Sequence, residues 1–323
     1  MQVSFIIPLY NCLQLTQSML GSLRATIPAN LEYEIIFVDD GSTDGTREWL
    51  ETLQEPMHKL LNEKNCGFAI TCNRGAKIAQ GEFLFFLNND LYFMDRWLEP
   101  MLAPLYERRD SGLVGNVQIN ALTGKVDHSG IFFNHQGKPQ HLTLIPLVAR
   151  WNAHSANRRV DALTGACFGI SRKNWILLGG FDEGFINGSE DVDLCLRAAS
   201  MGFSNYVALR SQVRHHISAS TGRKLRDEQN AWRLVQRWRP QIIPLMTRDW
   251  CRHQIVIHAD QSGLLDYDML QEALLYLGGA AQPGPHVRAG VELALLKEEQ
   301  RWREILESTP PPIIASAERT DHI

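Results

Sequence analysis

The sequence predicts an α/β fold: a mainly parallel central sheet flanked by helices, with a C-terminal helical extension. Three observations lead there. Short apolar runs alternate with helix-period segments through the first ninety residues. Those runs are apolar at nearly every position, as strands covered on both faces must be. Beyond about residue 222 strand signals fade and helix-favouring composition takes over.

Residues 3–7 read as a buried strand, and the spacing after them predicts a helix over 11–23. A second strand, 34–38, ends at Asp39-Asp40-Gly41, where Ser42 or Thr43 can cap a helix over 44–53. Residues 57–61 form a third strand, 69–79 a helix, and 82–87 a fourth strand ending at Asn88-Asn89-Asp90. Further strands are expected at 113–119, 130–133 and 164–170, with a long loop over 134–157. A helix over 172–178 stops at Gly179-Gly180, and one over 191–201 stops at Gly202. Two short strands, 203–209 and 212–215, close this part. Helices at 225–238, 268–277 and 286–306 make up the extension, and a loose tail starts at Ser308. The organisation expected is a first unit over 1–222, divided near 118, then helices over 223–307 and a tail over 308–323.

With 323 residues, 44% of them hydrophobic, the chain has ample material for a buried core. A formal charge of −4 with only short basic stretches argues against nucleic acid as a partner. The six cysteines form no CxxC pair and read as small buried residues. With no signal peptide and no apolar run of about 20 residues, the expected location is cytoplasmic, with peripheral contact at the inner face of a membrane left open.

In an open α/β sheet, ligands bind beyond the carboxyl ends of the strands. Asp39-Asp40 and Asp90 stand at two such ends. Capping or turn formation accounts for either alone; two clusters at equivalent ends favour a shared ligand. A nucleotide-sugar donor fits, because its diphosphate leaves readily only when its charge is neutralised. A hard divalent cation held by one or two carboxylates and the phosphates does that. Asp90 can supply a ligand with Asn88 or Asn89 nearby, and Asp39 or Asp40 can accept hydrogen bonds from base or ribose. In Glu190-Asp191-Val192-Asp193, a carboxylate at a helix start can act as general base on an acceptor hydroxyl. His215-His216 ends a strand and can complete a metal shell. Ser220, Thr221 and Arg223 follow with phosphate-binding groups.

Six segments in order, VSFIIPLYN (3–11), VDDGSTDGT (38–46), NCGFAITCNRGAKIAQGEFLFFLNND (65–90), TGACFGISRKNWILLGGFDEGF (164–185), EDVDLCLRAASMG (190–202) and HHISAS (215–220), closely resemble the family 2 inverting glycosyltransferases. The resemblance covers about the first 220 residues and implies the GT-A fold, a nucleotide-binding half followed by an acceptor-binding half. It implies that Pro8, Tyr10 and Asp40, with Asp39 close by, line the nucleotide pocket, and that Asn65, Gly67 and Arg74 lie over the donor. By the same resemblance Asp90 is the last position of the signature for the metal, Mg²⁺ or Mn²⁺, here Asn88-Asn89-Asp90 with its first carboxylate absent. Asp191 matches the catalytic base and His215 the later metal or diphosphate ligand. Glu190, Ser220 and Arg223 are candidates to contact diphosphate or acceptor.

The implied activity is inverting hexosyl or deoxyhexosyl transfer to a glycan, lipid-linked or protein acceptor, in bacterial-type surface glycan or glycoconjugate synthesis. Two rivals are weaker. A sugar-nucleotide nucleotidyltransferase calls for a Gly-rich phosphate loop after the first strand, where this chain has Pro8-Leu9-Tyr10-Asn11. A non-catalytic nucleotide-sugar-binding module has no use for Asp90, Asp191 and His215 together.

Overall fold

The computed structural model describes residues 2–54, 57–145, 156–216, 224–260 and 266–308. Four parallel strands, β1 (Val3–Leu9), β2 (Tyr33–Asp39), β3 (Met57–Leu61) and β4 (Phe83–Leu87), are joined by α1 (Leu13–Thr26), α2 (Thr46–Thr52) and α3 (Phe68–Ile78). Then come β5 (Leu91–Phe93), α4 (Glu99–Glu107), β6 (Ser111–Asn120), β7 (Val126–His128), β8 (Ile131–Phe133), β9 (Pro139–His141), β10 (Asn157–Val160) and β11 (Cys167–Ser171). The chain continues through α5 (Arg172–Leu178), α6 (Glu190–Ser200) and β12 (Ser204–His215) into α7 (Lys224–Asp260), α8 (Tyr267–Leu277) and α9 (Pro285–Ser308).

The main sheet runs β10-β12-β6-β11-β4-β1-β2-β3. Strand β11 lies antiparallel to β4 and β6, whereas β12 is parallel to β6 and takes β5 on its far end. This order brings the ends of β1, β2, β4 and β12 to one region.

The central strands are apolar at consecutive positions because both faces are buried. Phe5, Ile7, Phe85 and Leu87 pack with Trp97 on one side. Ile6, Phe86, Phe168, Trp175 and Phe181 pack on the other, where Phe86 and Phe168 stack at 4.8 Å. Such aromatic pairs contribute about 0.5–1.5 kcal/mol beyond their buried area. The second cluster continues without a break through Leu234, Trp238 and Ile242 to Val291 and Trp302, so the C-terminal helices share the sheet's core.

Several expectations change. The first helix starts at Leu13, because Asn11 and Cys12 take left-handed backbone, φ 56° and 63°. Helix α4 was hidden by Pro100 and Pro104, the first of which the opening turn tolerates because its N–H would have no partner there. The two strands expected at 203–209 and 212–215 are one, β12, with a register shift between Ala208 and Gln212. The loop expected over 134–157 contains β9, paired with β8. The helix expected to end at 238 runs on to Asp260, bent at Trp238 (φ −118°, ψ 17°). Pro240 accounts for the bend, since it lacks an N–H and crowds the carbonyl four residues back. The tail beyond 308 lies outside the described residues. No described helix is long and apolar enough to cross a membrane, and all six cysteines are unpaired.

Candidate active site

The turns after β1 and β2 are tied together. Asn11 donates its N–H to Ser42 Oγ (2.8 Å) and accepts the Thr43 N–H on Oδ1 (2.8 Å). Leu13 donates its N–H to Asp44 Oδ2 at 2.9 Å. These bonds hold the left-handed pair Asn11-Cys12 and leave the Tyr10 ring, beside Pro8 at the end of β1, 49% exposed at the lip of the site.

Asp39 and Asp40 are both buried, with separate partners. Asp39 accepts the N–H groups of Gly41 (3.1 Å) and Ser42 (3.2 Å) and pairs with Arg47 Nε at 2.6 Å. Asp40 accepts Asn62 Nδ2 (2.7 Å), the Cys66 N–H (2.8 Å) and the Gly67 N–H (2.9 Å). The first carboxylate shapes its own turn; the second holds the 62–67 loop beside it. Gly41 has φ +82°, and a Cβ there would lie 2.8 Å from the Asn65 nitrogen, so the loop packs directly on the turn. Asn65 and Arg74 are exposed, and Arg74 donates to Asn62.

The β4 end divides its three polar residues. The Asn88 N–H donates to the Ala166 carbonyl at 2.8 Å. Asn89, expected at the donor, instead donates to the Asn11 carbonyl (3.1 Å) and Thr16 Oγ1 (3.0 Å), because its side chain turns back toward α1. Asp90 faces His215, with Oδ1 and Nε2 3.2 Å apart and only 13% and 12% of the side chains exposed. The contact is not aligned as a hydrogen bond, and Asp90 Oδ1 has no hydrogen-bond partner although it is buried. A carboxylate oxygen without a hydrogen-bond partner and a ring nitrogen 3.2 Å from it are ligand types that a divalent cation takes. Among the described residues no three His, Cys, Asp or Glu side chains converge. A hard cation that keeps oxygen ligands from phosphate needs only one or two from the protein, so this pair fits it. Neighbouring Cys12 stays a neutral thiol, its pKa raised by burial and then by Asp90 and Asp44.

Asp191 lies in the first turn of α6. Its Oδ2 accepts the Gly165 N–H at 2.6 Å and its Oδ1 the Val192 N–H at 2.8 Å. The helix N-terminus favours its charge, an effect of about 0.3–1 kcal/mol. The other acids of this cluster face inward: buried Glu190 accepts the Gly188 N–H at 2.6 Å, and buried Asp193 is held by Arg197 and Trp238, each at 2.8 Å. Ser220, Thr221 and Arg223 lie outside the described residues. One short segment links the two chemical centres: Gly165 holds Asp191, and Ala166 accepts from Asn88. Asn187 adds a bridge to the start of α3, its Oδ1 accepting the Phe68 N–H at 3.1 Å. Sequence reasoning missed Arg47, Asn62, Gly165, Asn187 and Trp238. Arg47 lies only eight residues from Asp39, yet no motif marks it; the others act on residues 22 or more positions away, and no local periodicity points to them.

Carboxylates and a histidine stand at the C-terminal ends of the strands, the place where open α/β sheets bind ligands. The family description "Glycosyl transferase family 2" matches residues 4–174, over half the chain, and the chain belongs to that family. It is 29% identical over 250 residues to the O-antigen biosynthesis protein RfbC of Myxococcus xanthus, a match covering 75% of this chain and 19% of that protein. The chain thus spans about a fifth of that relative's length. Among solved structures it resembles GalNAc-T7 with UDP, GalNAc and Mn²⁺, with a TM-score of 0.61 and 18% identity, covering 86% of this chain and 55% of that one. It also resembles the mannosyltransferase PcManGT of Pyrobaculum calidifontis in complex with GDP-Man and Mn²⁺, with a TM-score of 0.50 and 18% identity, covering 95% and 78%. At these identities the likenesses establish the GT-A fold.

Proposed function

We propose that this glycosyltransferase moves a sugar from a nucleoside-diphosphate donor to an acceptor hydroxyl with inversion, in surface glycan or glycoconjugate synthesis. The observation that carries it is the Gly165-Ala166 segment, which holds Asp191 at a helix start on one side and, on the other, accepts the N–H of Asn88, two residues before the Asp90 that faces His215. Pro8, Tyr10, Asn65, Gly67, Arg74 and Asn88 line the donor side. Asp39 and Asp40 act there through the turns they hold. Residues up to 222 supply the donor and catalytic halves.

Two backbone N–H groups orient Asp191 and leave its remaining lone pairs for an acceptor. It takes the proton of the acceptor hydroxyl as general base. The freed oxygen bonds to the anomeric carbon while the bond to the diphosphate oxygen breaks on the opposite face. The electron pair leaves with the nucleoside diphosphate. Asp90 and His215 would hold Mg²⁺ or Mn²⁺, which when bound neutralises diphosphate charge. The acceptor is a glycan, lipid-linked or protein hydroxyl.

Thermal-shift screening of UDP, GDP and dTDP with and without Mn²⁺ tests the donor side. A Mn²⁺-dependent rise in Tm for one nucleotide is expected; no rise with any of them counts against the reading. Asp191→Asn should cut transfer by roughly 10²–10⁴ with nucleotide binding retained. Near-normal transfer removes Asp191 from the base role.

A further inference from the structure

One face of α7 meets the segment that carries the base. Asn230, Arg233, Arg237 and Trp238 fall at helix spacing on that face. Asn230 clamps the backbone of Ile186, accepting its N–H at 3.3 Å and donating to its carbonyl at 3.0 Å. Arg233 and Arg237 reach Asp182 at 3.1 and 2.7 Å. Trp238 donates its indole N–H to Asp193 Oδ1 at 2.8 Å, and Arg237 lies 3.2 Å from the same oxygen.

The held segment has reason to need this. Asn187 and Ser189 adopt left-handed backbone, φ 51° and 68°, immediately before Glu190-Asp191. Asparagine tolerates that conformation, but serine keeps it at a cost that the surroundings must offset. Gly188 is tight against Asn230, whose Nδ2 would be 3.1 Å from a Cβ. At its other side the segment reaches the donor loop, since Asn187 accepts the Phe68 N–H next to Gly67, whose own N–H goes to Asp40. The bend at Trp238 is the point where the helix delivers the indole to Asp193.

We propose that α7 is a working part of the catalytic unit, with Asn230 and Trp238 as positioning residues that set the first turn of α6 and thereby the Asp191 carboxylate. The proposal rests on Asp191 being the base. It gives the C-terminal helices a role in turnover distinct from packing and from acceptor binding.

The test uses the full chain and an equimolar mixture of UDP-glucose, UDP-N-acetylgalactosamine, GDP-mannose and dTDP-rhamnose with Mn²⁺. Release of nucleoside diphosphate to water is followed. Trp238→Phe keeps an aromatic side chain and loses the indole N–H; Asn230→Ala loses the clamp. Each is expected to lower kcat roughly tenfold to a hundredfold, as small displacements of a catalytic group do. For Trp238→Phe, KM and the nucleotide-induced rise in Tm should stay within about twofold of the parent, since the indole bonds Asp193 and no residue of the donor loop. Amide hydrogen exchange over 186–193 should quicken in both variants. In an Asp191→Asn background, Trp238→Phe should add no further loss.

Unchanged exchange over 186–193 in a folded variant overturns the proposal even without turnover. So does a normal kcat for Trp238→Phe beside an inactive Asp191→Asn, or a loss confined to KM. Near-normal turnover of Asp191→Asn instead sinks the base assignment itself, which separates the two failures.

Discussion

Asp39 and Asp40 are adjacent in the chain yet opposite in effect: one carboxylate folds back on its own turn, the other reaches across to residues 62–67. A strand reverses side-chain direction at each residue, so neighbours at its end serve different neighbours in space. Asn89 and Asp90, in the turn beyond β4, diverge as well: Asn89 is turned to α1 and Asp90 to His215. Asp90→Asn should abolish most of the Mn²⁺-dependent part of the nucleotide thermal shift while sparing the metal-free part. An undiminished Mn²⁺ response would remove Asp90 from the metal site. Asp161 offers a prediction about stability. Burial pushes its carboxyl up to about 6, with Arg159 pulling partly back. Its folded pKa lies above the unfolded one, so its contribution is fully present below about pH 4 and is lost as the pH rises through 6. That gap is worth roughly 3 kcal/mol at most. Asp161→Asn should therefore raise stability at pH 7.5 by about 1–3 kcal/mol and change it little at pH 4. Urea unfolding at the two pH values decides it.

At the scale of elements, the first four strands and their helices were legible because β1, β2 and β4 carry consecutive apolar residues and helix-period segments separate the strands. Less was legible where tertiary contacts dominate. Helix α4 forms despite two prolines because Trp97, Leu98, Met101 and Leu102 are buried against the sheet. Strands β5, β7 and β9 are three residues long and exist only through their pairing partners. The turn after β2 makes an element-scale prediction. Gly41→Ala would strain a left-handed position and drive a methyl into the Lys64–Asn65 backbone. It should cost about 1–3 kcal/mol of stability and weaken nucleotide binding by displacing the 62–67 loop. Urea unfolding and titration with UDP or GDP in Mn²⁺ measure both; full stability would show that the loop yields freely.

For the whole molecule, the core that begins on one face of the sheet ends at Trp302 in α9. Removing residues from 224 onward would expose Leu194, Leu196 and Phe185 and strip Asp193 and Asp182 of their cationic and indole partners. The shortened chain should lose cooperative thermal unfolding and near-ultraviolet circular dichroism. A sharp transition near that of the full chain would make the helices an independent addition. Local sequence determined the alternation of strands and helices, the acidic turns at the strand ends and the helix start at Asp191, since periodicity, caps and glycine stops act over a few residues. Only the tertiary structure decided which carboxylate meets His215, which ones are consumed by their own loops, and that a tryptophan 45 residues along the chain from Asp193 holds the helix of the proposed base. Those outcomes depend on sheet order and on a shared core, and no pattern within a single element encodes them.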